Sequence, residues 1–144
     1  MKTSKRLSFA ILIVAVLLVI AGCLTHPQAQ TFFVIAAPGQ EVPYLEVQRE
    51  IIRIVDATAN SNGFQLVDDR LDSLGRTSYK NYLCFDASKQ RGLYLSLHSQ
   101  SSQFTVQIHE RYVSQPTRKH LIIEKELSTM LVEARIPAIK SRGR

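Results

Sequence analysis

The sequence lacks the motifs that mark many enzyme and nucleic-acid-binding families. It contains no glycine-rich phosphate loop, no nucleophile elbow and no His-Glu-x-x-His motif. It shows no internal repeat. Its basic residues do not alternate with aromatic residues in the way that a nucleic-acid-binding surface requires, so we expect no nucleic-acid partner. These absences leave a chain of 144 residues, which suggests one domain whose chemistry no motif defines.

The positive charge of the chain is concentrated near its ends. The net charge is +6, from 18 basic and 12 acidic residues. Lys2, Lys5 and Arg6 precede an apolar run, so the chain beyond that run keeps 15 basic residues against 12 acidic ones, a net charge of about +3. Three of the remaining cations stand close to the C-terminus: Lys140, Arg142 and Arg144. We therefore expect a solvated basic tail over 138–144, after a domain over 32–137.

The one long apolar run lies near the start of the sequence. Residues 1–6 are short and basic, and residues 7–21 (LSFAILIVAVLLVIA) are almost wholly apolar. This apolar core is shorter than the roughly 20 residues that span a bilayer as a helix. A basic start followed by such a core is typical of a secretory signal. The length of the apolar run does not exclude the alternative of an uncleaved transmembrane helix, because residues 22–24 could extend the span.

The residues that end the apolar run resemble a bacterial lipobox. Ile20-Ala21-Gly22-Cys23 has an aliphatic residue, two small residues and then a cysteine. Small residues admit a peptidase to the scissile bond, and a thiolate is the nucleophile that is alkylated. The resemblance implies a signal peptide over 1–22, cleavage between Gly22 and Cys23, and fatty acylation of Cys23 as the anchor to the lipid bilayer. Leu24, where inner-membrane lipoproteins carry aspartate, implies the periplasmic side of the outer membrane if the organism is Gram-negative.

The rest of the chain predicts a helix and several strands. Residues 23–31 are expected to form a polar tether, and the apolar residues 32–37 to form a first strand or to pack on the core. A helical apolar period predicts a helix over 43–59. Two strands and the polar loop between them are predicted over 64–67, 79–86 and 68–78.

The clearest pattern is a hairpin with one apolar and one polar face. Every second residue is apolar over 93–97 and again over 104–108. A turn centred on Gln100-Ser101 would pair Leu97 with Phe104, and both would then face the core.

A second amphipathic helix completes the predicted fold. Its apolar stripe runs over 117–135, and Pro137 ends it. Two such helices and a one-sided sheet indicate an α+β two-layer sandwich, with two helices packed on one face of a roughly four-stranded, mainly antiparallel sheet. This layering is similar to that of envelope-assembly lipoproteins such as the lipopolysaccharide-transport plug proteins, although no motif residues match.

Two groups of residues are candidate interaction sites. The first is the polar face of the hairpin: Tyr94, Ser96, His98, Thr105, Gln107 and His109. Hydroxyl, amide and imidazole groups suit a protein or polymer partner, but an idle hydrated face has the same composition. The second is the run DDRLD, with Asp68, Asp69 and Asp72. Paired carboxylates can perform acid–base chemistry, and a solvated loop is the simpler interpretation.

The histidines and cysteines predict neither a metal site nor a nucleophile. In the predicted register, His98 and His109 lie about 20 Å apart, too far to share a metal ion. Cys84 lies in an apolar strand, and we expect it to be buried. We therefore expect no cofactor and no catalytic residue.

These observations favour a membrane-anchored lipoprotein whose domain binds or scaffolds another component of the cell envelope without catalysis. Two alternatives stay open: an envelope hydrolase that uses Asp68 and Asp69, and a domain held by an uncleaved transmembrane helix.

Overall fold

The computed structural model describes residues 27–89 and 91–143, so the predicted signal peptide and lipobox lie outside the described residues. The described chain forms six strands and two helices. In chain order they are β1 (Gln28–Ala36), α1 (Glu41–Ser61), β2 (Gln65–Leu71), β3 (Thr77–Asp86), β4 (Arg91–Ser99), β5 (Gln103–Arg111), α2 (Arg118–Glu133) and β6 (Ile139–Gly143). Over these residues, neither helix has both the length and the apolar character needed to cross a bilayer.

The six strands form one antiparallel sheet with the order β2-β3-β4-β5-β1-β6. Both helices cover the same face, and the core between the layers includes Phe33, Ile54, Leu95, Phe104 and Leu127. This confirms the predicted α+β class, with two helices on one face of an antiparallel sheet. The prediction of roughly four strands was too low, because six strands are present in the described chain.

The two unpredicted strand segments lie at the ends of the domain. β1 begins at Gln28, inside the predicted tether, and its first residues are polar although Ala29 and Thr31 are buried. β6 occupies the predicted solvated tail and pairs with β1 from Gln30 opposite Gly143 to Val34 opposite Ile139. The tail is exposed to solvent as expected, but it is an ordered edge strand, because its backbone hydrogen bonds stabilise it and these leave no apolar pattern in the sequence.

The DDRLD run was wrongly predicted as a loop. Asp68 to Leu71 belong to β2, and only residues 72–76 form the turn to β3. The Asp72 carboxylate closes this turn by accepting hydrogen bonds from the backbone N–H groups of Leu74 (2.8 Å) and Arg76 (2.9 Å). A charged edge strand has the polarity of a loop, which explains the error.

Both predicted helices are confirmed with small shifts of their ends. α1 ends in a Schellman motif, in which Phe64 N–H donates to the Ala59 carbonyl (2.9 Å) and Gly63 adopts a φ of 73°. α2 begins after Thr117, whose hydroxyl accepts a hydrogen bond from the His120 N–H. These ends place the last turn of α1 and the first turn of α2 at the same end of the sheet.

The β4–β5 hairpin has the predicted faces but a different register. Leu97 lies opposite Val106 and Leu95 opposite Ile108, so the pairing is shifted by two residues from the prediction. The turn is centred one residue later than expected. A shift of two residues preserves the side on which every side chain lies, so the apolar pattern alone cannot detect it.

Candidate functional site

The face of the sheet opposite the helices is uncovered in the described structure, and we call it the open face. It contains all six predicted interaction residues, on β4 and β5. Neighbouring strands extend it with Phe32 and Val34 on β1 and with Tyr79, Asn81 and Leu83 on β3, as their pairing registers require. The open face is therefore wider and more apolar than the hairpin alone indicated.

Aromatic rings pair across neighbouring strands of the open face. The rings of Tyr79 and His98 have centroids 4.6 Å apart, and those of Tyr94 and His109 are 5.8 Å apart. A guanidinium group lies over each tyrosine, Arg70 at 5.3 Å and Arg111 at 5.2 Å from the ring centroid. Such contacts hold the rings and the arginine side chains in fixed positions on the surface.

The two imidazoles of the open face are uncharged at neutral pH. Burial lowers the pKa of His98 below its usual 6.5. Burial also lowers the pKa of His109, with a further contribution from the positive charge of Arg111. His109 Nε2 lies 3.0 Å from the amide oxygen of Gln28, which can only accept, so this nitrogen carries the proton. The aromatic rows of the open face therefore present neutral rings.

Several predicted residues are placed less favourably for binding. Ser96 is only 6% exposed, and its hydroxyl donates to Asn81 (2.8 Å) on the neighbouring strand. His98 and His109 lie opposite Thr105 and Tyr94, which leaves them four residues apart along the hairpin, or about 13 Å. Among the described residues, no three His, Cys, Asp or Glu side chains are grouped as a metal site would require.

The three aspartates of DDRLD do not converge. Consecutive strand residues point to opposite faces, so Asp68 and Asp69 diverge. Asp68 forms an ion pair with Arg70 (2.6 Å), Asp69 lies 3.9 Å from Lys80, and Asp72 binds Arg76 (2.7 Å). Each carboxylate thus lies beside a cation, although Lys80 is closer to Asp56 (3.2 Å) than to Asp69, and no two of the three carboxylates are arranged as an acid–base pair.

A groove of about 1050 Å³ lies at the end of the sheet where β1 begins. It runs between the β3–β4 connection, the last turn of α1 and the first turn of α2. Leu93 and Ile122 provide apolar surface in it, and Cys84 also lines it. Cys84 is only partly buried, which corrects the prediction of a buried thiol, and its Sγ lies 2.9 Å from the Nζ of Lys119.

The groove carries an excess of positive charge. Lys89, Arg91, Arg118 and Lys119 line it, against two carboxylates, Asp86 and Glu110. Asp86 forms an ion pair with Lys89 (3.6 Å), and the buried Glu110 accepts from the Thr117 N–H (3.2 Å). In the described part of the chain, Arg91 and Arg118 have no carboxylate partner. No sequence pattern predicted this groove, because its lining residues come from four separate segments of the chain.

A buried polar cluster was also not predicted. Thr31 and His120 are fully buried and lie 2.9 Å apart, and the Thr31 hydroxyl donates to Glu124 (2.9 Å). His120 Nδ1 lies 3.6 Å from Glu110. A hydroxyl, an imidazole and a carboxylate that contact one another in this spatial order resemble a catalytic triad. Here, however, the Thr31 hydroxyl donates to a carboxylate, and no solvent reaches this hydroxyl. The cluster is therefore structural. The spacing of His120 and Glu124 on the buried stripe of α2 was the available signal.

Burial by itself would raise the pKa of Glu124, but its hydrogen bonds reverse this effect. Arg142 and Lys140 donate to it from β6 (both 3.0 Å), as does Thr31 from β1, and together they lower its pKa to about 2. Glu124 thereby binds two side chains of β6 to α2, in addition to the backbone pairing of β6 with β1.

Comparison of the chain with protein-family models, with curated proteins and with solved structures finds no significant match to any of the three.

Proposed function

We propose that this chain is a lipoprotein of the bacterial cell envelope, anchored through acylated Cys23, and that its domain binds a partner protein through the open face without catalysing a reaction. In a Gram-negative organism, the residue Leu24 favours the outer membrane, with the domain in the periplasm. The observation that carries the binding proposal is the composition of the open face.

The open face has the residue types that are enriched at the centre of protein interfaces. Tyrosine, phenylalanine and arginine are enriched there, while lysine, glutamate and aspartate are depleted. The open face has Tyr79, Tyr94 and Phe32 near Arg70 and Arg111, and its one aspartate, Asp68, is neutralised by Arg70. Ordered aromatic side chains lose little conformational entropy on binding, which favours affinity.

The size of the open face also supports a protein partner. Six strands at a spacing of about 4.8 Å give a width of about 24 Å, and a strand of nine residues is about 30 Å long. The product, about 700 Å², is close to the roughly 800 Å² that each partner buries in a standard interface. Pairing of all six described strands in one sheet makes this area continuous.

The anchoring part of the proposal is supported by the sequence alone, through the lipobox Ile20-Ala21-Gly22-Cys23 and the basic and apolar segments before it. It agrees with the position of the domain along the chain, because Pro27 already accepts a hydrogen bond from Val113 (3.1 Å). A chain attached at Cys23 would therefore place its domain directly at the membrane surface.

Site-specific photo-crosslinking in the producing cell tests the binding proposal. A benzophenone amino acid is introduced at Gln107, in the centre of the open face, or at Lys125, an exposed position on α2. We expect Gln107 to give one discrete adduct that a protease digests, and Lys125 to give none. Replacing Tyr79 and Tyr94 by alanine should abolish the adduct while the thermal unfolding transition remains.

Two results would contradict the proposal. The first is a set of diffuse adducts of equal yield at both positions, which would indicate an idle face. The second is an adduct that resists proteases and contains sugar, which would identify a polymer and not a protein as the partner.

A further inference from the structure

We propose that the basic groove beside Cys84 binds the headgroup of an anionic phospholipid in the same bilayer that holds the acylated Cys23. This inference rests on the proposed lipid anchor. It assigns a ligand class to the groove, which lies at one end of the sheet beside the helix ends and is distinct from the open face. It also gives the domain an orientation on the membrane.

The first argument is the distance between the groove and the anchor. Four Cα–Cα steps separate Cys23 from Pro27 and span at most about 14 Å. The groove lies at the end of the sheet where β1 starts, because β4 begins at Arg91 and β5 ends at Arg111, which pairs with Gln28. Two strand spacings, about 10 Å, separate β4 from β1. A chain anchored at Cys23 thus has this end of the domain at the lipid headgroups.

The second argument is charge. Arg91 and Arg118 line the groove without a carboxylate partner in the described structure, and the amine of Lys119 contacts only a thiol and the face of the Phe64 ring (5.7 Å). Both carboxylates in the groove are already engaged, as described above. A phosphate between these three side chains would neutralise charge that the chain leaves unbalanced.

The third argument is the first turn of α2. Arg118 and Lys119 stand at its N-terminus, where the helix has no acidic residue of its own and the buried Glu110 of β5 accepts a hydrogen bond from the Thr117 N–H. A helix N-terminus carries partial positive charge, so cations are unfavourable at this end and an anion is favourable. An anionic ligand would turn this local repulsion into attraction and would also receive the N–H groups that the helix leaves unpaired.

The fourth argument is the apolar part of the groove. Ile122 is 49% exposed and lines the groove next to the buried Leu93. A free phosphate ion gains nothing from these side chains. A phospholipid places its phosphate among the cations and the first methylene groups of its acyl chains against the apolar surface, so that both parts of the groove are used.

The test measures how strongly lipid protects Cys84 from a neutral maleimide. The full-length lipidated chain is reconstituted in vesicles of phosphatidylcholine alone, or of phosphatidylcholine and phosphatidylglycerol at 3:1. Cys23 is acylated, so Cys84 is the one reactive thiol of the chain. We expect Cys84 to react at least fivefold more slowly in the vesicles with phosphatidylglycerol, and this difference to disappear in 0.5 M salt.

Matched variants locate the effect. Arg91→Glu with Arg118→Glu should remove the difference between the two vesicle types. Arg49→Glu with Lys125→Glu makes the same charge change at exposed residues outside the groove and should keep it. A Cys84→Ser, Ser101→Cys variant carries its thiol at the opposite end of the sheet and should react equally in both vesicles, which controls for a difference in maleimide concentration between the two preparations.

The outcomes separate this inference from the proposed function. Equal Cys84 reactivity in both vesicle types, in a chain whose mass includes the lipid, contradicts the headgroup site and leaves the anchor intact. Protection by millimolar inorganic phosphate in phosphatidylcholine vesicles contradicts the lipid as ligand, because free phosphate would then suffice. An intact Met1 peptide and no acyl mass on Cys23 contradict the proposed anchor itself.

Discussion

The Nε2 atom of His120 lies 2.9 Å from the Oγ1 atom of Thr31, between α2 and the sheet. Because the Thr31 hydroxyl donates its proton to Glu124, its oxygen accepts from Nε2–H of His120. Nδ1 is buried, forms no hydrogen bond and lies 3.6 Å from the carboxylate of Glu110. Thr31 is therefore the one group that satisfies the imidazole.

Replacing Thr31 by valine tests this arrangement. The change keeps the volume and removes the hydroxyl, so Nε2–H is left unpaired in the core and Glu124 loses one donor. We expect a loss of about 1–3 kcal/mol in the free energy of unfolding. Urea denaturation at pH 7 measures it. Thr105→Val, on the open face, is the matched control and should change stability by less than about 0.5 kcal/mol. Equal stability of the two variants would show that the buried hydroxyl contributes nothing.

The carboxylate of Glu124 should make the domain sensitive to acid. Its pKa is about 2 in the folded chain, lowered from 4.5 against the effect of burial by its hydrogen bonds to Arg142, Lys140 and Thr31. A lowered folded-state pKa gives stability that is present above pH 4.5 and is lost as the pH falls towards 2. The full shift corresponds to at most about 3 kcal/mol, and solvent around Lys140 and Arg142 reduces it.

Urea denaturation between pH 2.5 and pH 6 checks this pH dependence. We expect the wild type to lose stability steadily below pH 4.5, and Glu124→Gln to show a flatter profile over the same range. The lowered pKa of His120, which arises from burial, also removes stability as the pH falls below 6.5, but it is present in both proteins, so the comparison with Glu124→Gln isolates the carboxylate. Parallel profiles for the two proteins below pH 4.5 would refute the role of Glu124.

The sequence predicted those parts of the fold that carry an apolar period. The stripes of α1 and α2 and the alternation over 93–97 and 104–108 depend on burial, and burial is visible in the side-chain types. The second half of β2, over 68–71, and the edge strand β6 were missed because their residues are mostly exposed, and backbone pairing holds them in place. The hairpin register was wrong because a shift of two residues leaves every face unchanged.

The candidate sites likewise divide into one that a local sequence pattern predicts and others that depend on contacts between distant segments. The hairpin part of the open face follows from alternation, so its six residues could be predicted. The groove depends on how Cys84, Arg91 and Arg118 meet at one end of the sheet, and only the order of the strands brings them together. The Thr31–His120 contact joins residues 89 positions apart, and no local pattern encodes it.

Leu95 and His98 lie on the same strand but on opposite faces of the sheet, and this predicts very different effects of substitution. Leu95 is fully buried, so Leu95→Ala should cost about 2–5 kcal/mol through the cavity that it leaves. His98 packs only on the ring of Tyr79, so His98→Ala should cost less than about 1 kcal/mol. Urea denaturation of both variants checks the assignment, and similar losses would mean that the faces of β4 are reversed.

The two cysteines of the chain should differ completely in processing. Under the proposed anchor, Cys23→Ser removes the thiol that receives the lipid, and we expect the precursor to keep its Met1 peptide and to lose the acyl mass. Cys84→Ser leaves the lipobox intact and should be cleaved and acylated like the wild type. Intact-mass spectrometry of the membrane fraction distinguishes the two variants. Cleavage before residue 23 in the Cys23→Ser protein would rule out a lipoprotein peptidase, because that enzyme requires the modified thiol.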